Sequence, residues 1–169
     1  NSSAIVRTGG SALKTWVGLG ATNDSSEAAN WSPPVSPAPA DSFLFSGAST
    51  KTCFWNSTAP ITSLTLAYGF GGFAAVYMRS SVTIADVHAS TGFLALASLG
   101  GAVTVTGNVV FDGQSIPIWD RARLRLLGNL RVDTSMAANF TAGAVTTTVE
   151  MAGSGFQVTP AVRPCRVSS

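Results

Sequence analysis

A chain of 169 residues that is 46% hydrophobic and only 11% charged is long enough to bury one sizeable core, and it carries less than half the usual charged share of about 25%. Its net charge of +2 comes without a run of like charge that could track a phosphate backbone, and no stretch of about 18 apolar residues could span a bilayer, which argues against nucleic-acid binding and against a membrane span. Ser and Thr fill 39 positions against two Lys and two Glu, so the surface must be polar through hydroxyls, a bias that disfavours exposed helices and predicts an all-β chain.

Residues 1–14 read as an N-terminal arm: Ala4-Ile5-Val6 is a short apolar centre closed by Gly9-Gly10, and a first strand follows over Ala12-Leu13-Lys14-Thr15-Trp16-Val17. Residues 15–60 read as a cap and loop region. Between Asn23 and Asp41 lies Asn30-Trp31-Ser32-Pro33-Pro34, with further prolines at 37 and 39 that have no N–H for a sheet ladder, so this is a loop anchored by Trp31. Phe43-Leu44-Phe45 and Thr52-Cys53-Phe54-Trp55 are short β-like runs.

Residues 61–158 repeat. Apolar-x-apolar cores recur at Leu64-Thr65-Leu66, Val82-Thr83-Ile84, Val103-Thr104-Val105, Leu124-Arg125-Leu126 and Val149-Glu150-Met151, with spacings of 18, 21, 21 and 25 residues. Two copies match more deeply, because Gly107-Asn108 lies 21 residues before Gly128-Asn129, and Asp112 lies 21 before Asp133. A period near 20 with one such core per repeat is what a parallel β-solenoid of about five coils needs, since no coil buries its apolar face until the next one stacks on it. Gly would then permit a positive φ at the bend between strands, and Asn108 could share amide hydrogen bonds with Asn129 one strand away. Residues 159–169 form a C-terminal tail. The alternative architecture for this composition is an antiparallel β-sandwich or jelly roll.

The stretch Thr15-Trp16-Val17-Gly18, Ala29-Asn30-Trp31-Ser32, Pro39-Ala40-Asp41, Ile61-Thr62-Ser63-Leu64 and the Val-Thr-Val-x-Gly-Asn coil resembles bacterial β-helical surface proteins of the autotransporter and filamentous-adhesin type. That resemblance covers roughly residues 15 to 135 and implies an extracellular fibre or adhesin. Members of the group carry many more coils, so a short unit suggests assembly by repetition of subunits.

Two further features favour an extracellular or cell-surface location. Cys53 and Cys165 are far apart and outside any Cys-x-x-Cys spacing, which makes one long-range disulfide the simplest pairing. Five of the seven asparagines, Asn1, Asn23, Asn30, Asn56 and Asn139, begin an Asn-x-Ser/Thr triplet, so covalent N-linked glycans are expected; no metal or other cofactor is.

Chemistry-bearing residues are few. His88 lies two residues from Asp86, on one side of a strand, but no Gly-x-Ser-x-Gly accompanies it, and a half-exposed strand position is the plainer reading. Asp112 and Asp133 would stack one strand apart, within reach of a carboxylate pair, yet each follows a strand where Asp serves turns. No catalytic residue is assigned. Arg121, Arg123 and Arg125 alternate with Ala122, Leu124 and Leu126 and would form an outward stripe suited to acidic glycans or a second copy of the chain. The sequence thus predicts a non-enzymatic structural subunit: a glycosylated filament in which Ala4, Ile5 and Val6 add as a strand to the next protomer and the arginines line the interface. A surface adhesin or carbohydrate-binding module is the alternative.

Overall fold

The computed structural model describes residues 11–70, 75–90, 93–95, 102–112, 116–118, 123–132 and 148–151. These form fourteen strands: β1 (Leu13–Trp16), β2 (Trp31–Ser32), β3 (Ser42–Phe45), β4 (Cys53–Trp55), β5 (Ile61–Leu66), β6 (Ala75–Met78), β7 (Val82–Ala89), β8 (Phe93–Ala95), β9 (Ala102–Val105), β10 (Val109–Phe111), β11 (Ile116–Ile118), β12 (Arg123–Leu126), β13 (Leu130–Val132) and β14 (Thr148–Met151). A 3-10 turn at Ala28–Asn30 is the sole helical element among the described residues.

The described residues are nearly all β, in two sheets. The larger runs β14-β12-β9-β7-β5-β3-β1-β2, with β10 and β13 continuing beside β7, and the smaller runs β11-β8-β6-β4. Every pair of named strands is parallel except β1 with β2, which makes the large sheet mixed at one edge. An antiparallel sandwich or jelly roll is therefore ruled out for these strands.

Register explains why the sequence repeats. Phe43, Leu64, Val87, Val109 and Leu130 occupy successive rungs, as do Phe45, Leu66, Ala89 and Phe111 in a second row. A third row follows Val82, Val103, Leu124 and Val149. Side chains alternate across a strand, so each row lies on one face. The described members of these rows are buried, and they form one cluster with Cys53, Trp55, Val76, Met78 and Leu94 of the smaller sheet.

Two expectations need correction. Leu64-Thr65-Leu66 does not stack on Val82-Thr83-Ile84; its partners are Val87, His88 and Ala89, and Ile84 pairs with Ile61. The reason is that β7 spans eight residues and carries both rows in one straight strand, whereas the next two rungs are broken into β9 and β10 and into β12 and β13. The ladder also begins before residue 61, because β1 pairs with β3, β3 with β5, and β4 with β6.

The breaks are the two Gly-Asn pairs, and Asn129 Nδ2 donates to Asn108 Oδ1 at 3.1 Å across the rung, as the phase of the repeat predicts. The role of the glycines differs from the expected one. Positive φ among the described glycines occurs at Gly18 and Gly69, not at 107 or 128. What the bends require is closeness: a Cβ on Gly128 would run into the backbone carbonyl of Gly107, and one on Gly107 would meet the Ala85 carbonyl oxygen at 2.7 Å. Gly128→Ala is expected to cost about 1–3 kcal/mol, since backbone cannot swing aside as a side chain can. Urea melts showing no shift of the midpoint would refute that packing.

The first edge of both sheets is closed by the chain's own residues. β2 reverses onto β1, and Asp24 bridges Phe54 at the start of the smaller sheet, with Ser25 N donating to Phe54 O at 2.9 Å and Phe54 N to Asn23 O at 2.8 Å. Under this cap Trp31 meets Trp16, Phe43 and Trp55 with ring centroids 5.1, 5.0 and 6.1 Å apart, and its Nε1 donates to Ser25 O at 2.7 Å. Trp31 is thus the buried anchor of the loop, with Trp16 and Trp55 buried beside it; Trp119 lies outside the described residues.

Candidate functional site

The outward positions of β5, β7, β10 and β13 form a polar face. One row holds Thr65, His88, Val110 and Arg131 on successive rungs. His88 and Asp112 are half-exposed, and His88 Nε2 lies 3.0 Å from Asp112 Oδ2. Ser90 Oγ lies 3.3 Å from the same His88 nitrogen. Burial works to raise the Asp112 carboxyl, but hydrogen bonds from Ser90 and His88, with the nearby charges of His88 and Arg131, outweigh it and hold the group below the usual carboxylate range. With its folded value depressed, whatever Asp112 adds to stability is present above the ordinary carboxyl range and lost as pH falls through that lowered value.

This cluster differs from both chemistries weighed from the sequence. Asp86 is not the partner of His88; its Oδ1 accepts the Asn108 backbone N–H at 2.8 Å and so ties down the first Gly-Asn bend. Asp112 faces His88, while Asp133 lies outside the described residues. A nucleophilic triad also needs the carboxylate on one imidazole nitrogen and the serine on the other, whereas here Asp112 and Ser90 meet the same one. The geometry suits ligand contact: an imidazole, a carboxylate and a hydroxyl lie together at the surface, and the exposed Arg131 is near enough for its charge to act on Asp112.

A second cluster lies on the outer face of the smaller sheet. Phe54 and Tyr77 occupy paired rungs of β4 and β6 with ring centroids 5.8 Å apart and planes 32° from each other. Arg79, exposed, lays its guanidinium over the Phe54 ring at 3.6 Å from the centroid. Composition and spacing do not mark these residues; the signal that could have found them is the alternation Cys53-Phe54-Trp55-Asn56, which places Phe54 and Asn56 opposite the buried pair.

The expected glycan acceptors separate by burial. Asn30 is fully buried; its Nδ2 donates to Thr22 O at 2.9 Å and Asp24 O at 3.0 Å, and its Oδ1 accepts from Gly20 N at 2.8 Å. That amide is an internal tie of the cap, and glycosylation of Asn30 is withdrawn because the nitrogen a glycan would need is inside and engaged. Asn56 is exposed and Asn23 half-buried; Asn1 and Asn139 lie outside the described residues.

Cys53 is a buried thiol in β4, pushed well above the usual thiol range first by burial and then by the charge of Asp24. Cys165 lies outside the described residues, and a bridge to it would have to reach the core beneath the smaller sheet. Ala4, Ile5, Val6 and Arg121 also lie outside them. Arg123 and Arg125 sit in β12, where Arg125 is exposed on a rung between Thr104 and Glu150. Among the described residues no group of three or more His, Cys, Asp or Glu is placed to hold a metal ion, and no helix is long and apolar enough to cross a membrane. No protein-family model, no curated protein and no solved structure matches the chain.

Proposed function

We propose that the chain is a β-solenoid module of an extracellular, cell-surface protein of the autotransporter and filamentous-adhesin kind, a non-catalytic scaffold that presents its outer sheet faces to saccharides. The parallel rungs at near-constant spacing support the solenoid reading: β3 and β4, β5 and β6, and β7 and β8 each give one strand to the large and one to the small sheet, and the described inward side chains form one apolar cluster. The observation that carries the binding reading is the cluster of His88, Ser90 and Asp112 at the outward ends of β7 and β10, where paired rungs bring the three side chains together. Fixed rungs pre-organise such groups, so little ordering entropy is lost when a ligand arrives.

A filament built by strand addition from the N-terminal arm is the weaker reading. Both sheets are already closed at their first edge by residues 23–32 of the same chain, and an incoming strand there would have to displace β2 or the Asp24 bridge. N-linked glycans at Asn23 and Asn56 fit the surface reading, as both remain at least partly accessible.

A saccharide panel combined with electron microscopy separates the two. The scaffold reading expects separate particles that retain saccharides, with retention reduced at least tenfold in a His88→Ala/Asp112→Asn variant that melts like the parent. Regular fibres that vanish when residues 1–9 are removed, from a protein that retains no sugar, would replace it with the filament.

A further inference from the structure

We infer that Asp112 is a positioning residue: it fixes the tautomer of His88 and leaves Nδ1 as a bare acceptor at the surface. The cluster then takes the hydroxyl of a neutral saccharide and turns away an acidic one until the imidazole is protonated. The inference rests on the scaffold reading above and names the ligand class and the regulation of its site.

His88 Nε2 lies 3.0 Å from Asp112 Oδ2 and 3.3 Å from Ser90 Oγ. An ionised carboxylate only accepts hydrogen bonds, so the ring nitrogen facing it must carry the proton. The Ser90 hydroxyl spends its own proton on Asp112, which leaves its oxygen to accept a share of the Nε2–H. A bare Nε2 would instead set lone pair against lone pair at 3.0 Å. Neutral His88 is therefore the Nε2–H tautomer, with its lone pair on Nδ1. The imidazole is half-exposed, and among the described residues Nδ1 has no hydrogen-bond partner.

A bare Nδ1 selects by what a ligand can donate. A sugar hydroxyl donates to it, and after protonation the same hydroxyl accepts from Nδ1–H, so a neutral saccharide suits both states. A carboxylate has no proton to donate and meets only lone pairs until His88 is charged. The surrounding charges act in the same direction. Asp86 is the preceding outward position of β7, and Asp112 stands just past the paired strand β10. Arg131 lies two rungs from His88, and Thr65, on the β5 side, is uncharged. Two carboxylates against one guanidinium leave the neutral cluster negative, and protonation of His88 cancels that excess.

The test pairs nitrogen-15 NMR of the full chain with calorimetric titration of the galactose tetramer and of tetragalacturonate. Both are run at about pH 8 and about pH 5, either side of the range in which histidines change charge. Asp112, held below the usual carboxylate range, stays ionised at both. His88 is the one histidine of the chain, so its ring signals need no assignment. At the higher pH the protonated nitrogen should be Nε2, and the neutral tetramer should bind at least tenfold more tightly than the uronate. At the lower pH the uronate should gain at least tenfold, while the neutral tetramer changes less than threefold. Asp112→Asn, whose amide can donate to Nε2, should release the Nδ1–H tautomer and admit the uronate at the higher pH. Asp86→Asn removes the same charge and keeps an oxygen for the Asn108 N–H, so the tautomer should stay and the uronate should remain excluded. An Nδ1–H tautomer in the parent, a uronate bound as tightly as the neutral tetramer at the higher pH, or equal effects of the two substitutions would overturn the inference and leave the scaffold reading standing. A chain that retains no member of a broad saccharide panel would overturn both.

Discussion

Replacing Trp31 by alanine is expected to remove about 3–5 kcal/mol of stability, the cost of a large aromatic truncated in a core that cannot collapse around it. The side chain is 1% exposed, lies against Trp16, Phe43, Phe45 and Trp55, and spends its indole N–H on the Ser25 carbonyl. That hydrogen bond is one of the ties between the cap segment and the aromatic floor, so its loss frees the cap as well as opening a cavity. For a chain of this size the melting temperature should fall by about 10 °C or more. Trp31→Phe, which keeps most of the ring and loses the donor, should recover more than half of the loss. A Trp31→Ala melt within two or three degrees of the parent, about 1 kcal/mol or less, would mean that the cap does not rest on this residue.

Asp41→Ala should be of similar size, about 3–5 kcal/mol, because it strands a buried charge. Lys14 Nζ lies 3.6 Å from Asp41 Oδ2, and the two side chains are 4% and 6% exposed. The carboxylate also accepts the backbone N–H groups of Ala12 at 3.2 Å and Ala38 at 2.9 Å, while Lys14 Nζ donates to Val35 O at 3.1 Å. Lys14→Met alone should cost less, since methionine suits an apolar row. The double variant should be more stable than Asp41→Ala, with a coupling above about 1 kcal/mol in the cycle. Additive losses would show that the pair does not interact across the cap.

Lys14 also shows where pattern reading stops. On β1 the lysine points inward and Leu13 is 60% exposed, the reverse of what hydrophobicity alone assigns. Lys14 occupies the rung before Phe43, Leu64 and Val87, and a charge is accommodated there because Asp41 arrives from the cap loop. Such a partner, 27 residues away in sequence, has no periodic signature.

The parallel rungs from β9 to β12 were legible because the repeat there is uniform, Val103 over Leu124 and Val105 over Leu126, with a Gly-Asn bend in phase. The phase of β5 against β7 was not, since one eight-residue strand spans two rows and shifts the apparent period. The site was legible only as residue types. His88 was visible, but its partner is set by the rung: Asp112 lies 24 residues on and just past β10, the strand paired to β7, whereas Asp86 two residues away belongs to the bend. Asn30 failed as a glycan acceptor for the related reason that a triplet motif carries no information about burial.

Everything positioned above depends on consecutive rungs, and one distance tests them most directly. Thr65 and Arg131 lie on the same outward row, separated by His88 and Val110, so three rung spacings put their backbones about 14 Å apart. Nitroxide labels on cysteines at these two positions, with Cys165 replaced by serine and the buried Cys53 out of reach of the reagent, should show strong dipolar broadening. Spectra that are the sum of the two single-label spectra would place the labels well beyond three rungs and contradict the parallel stack.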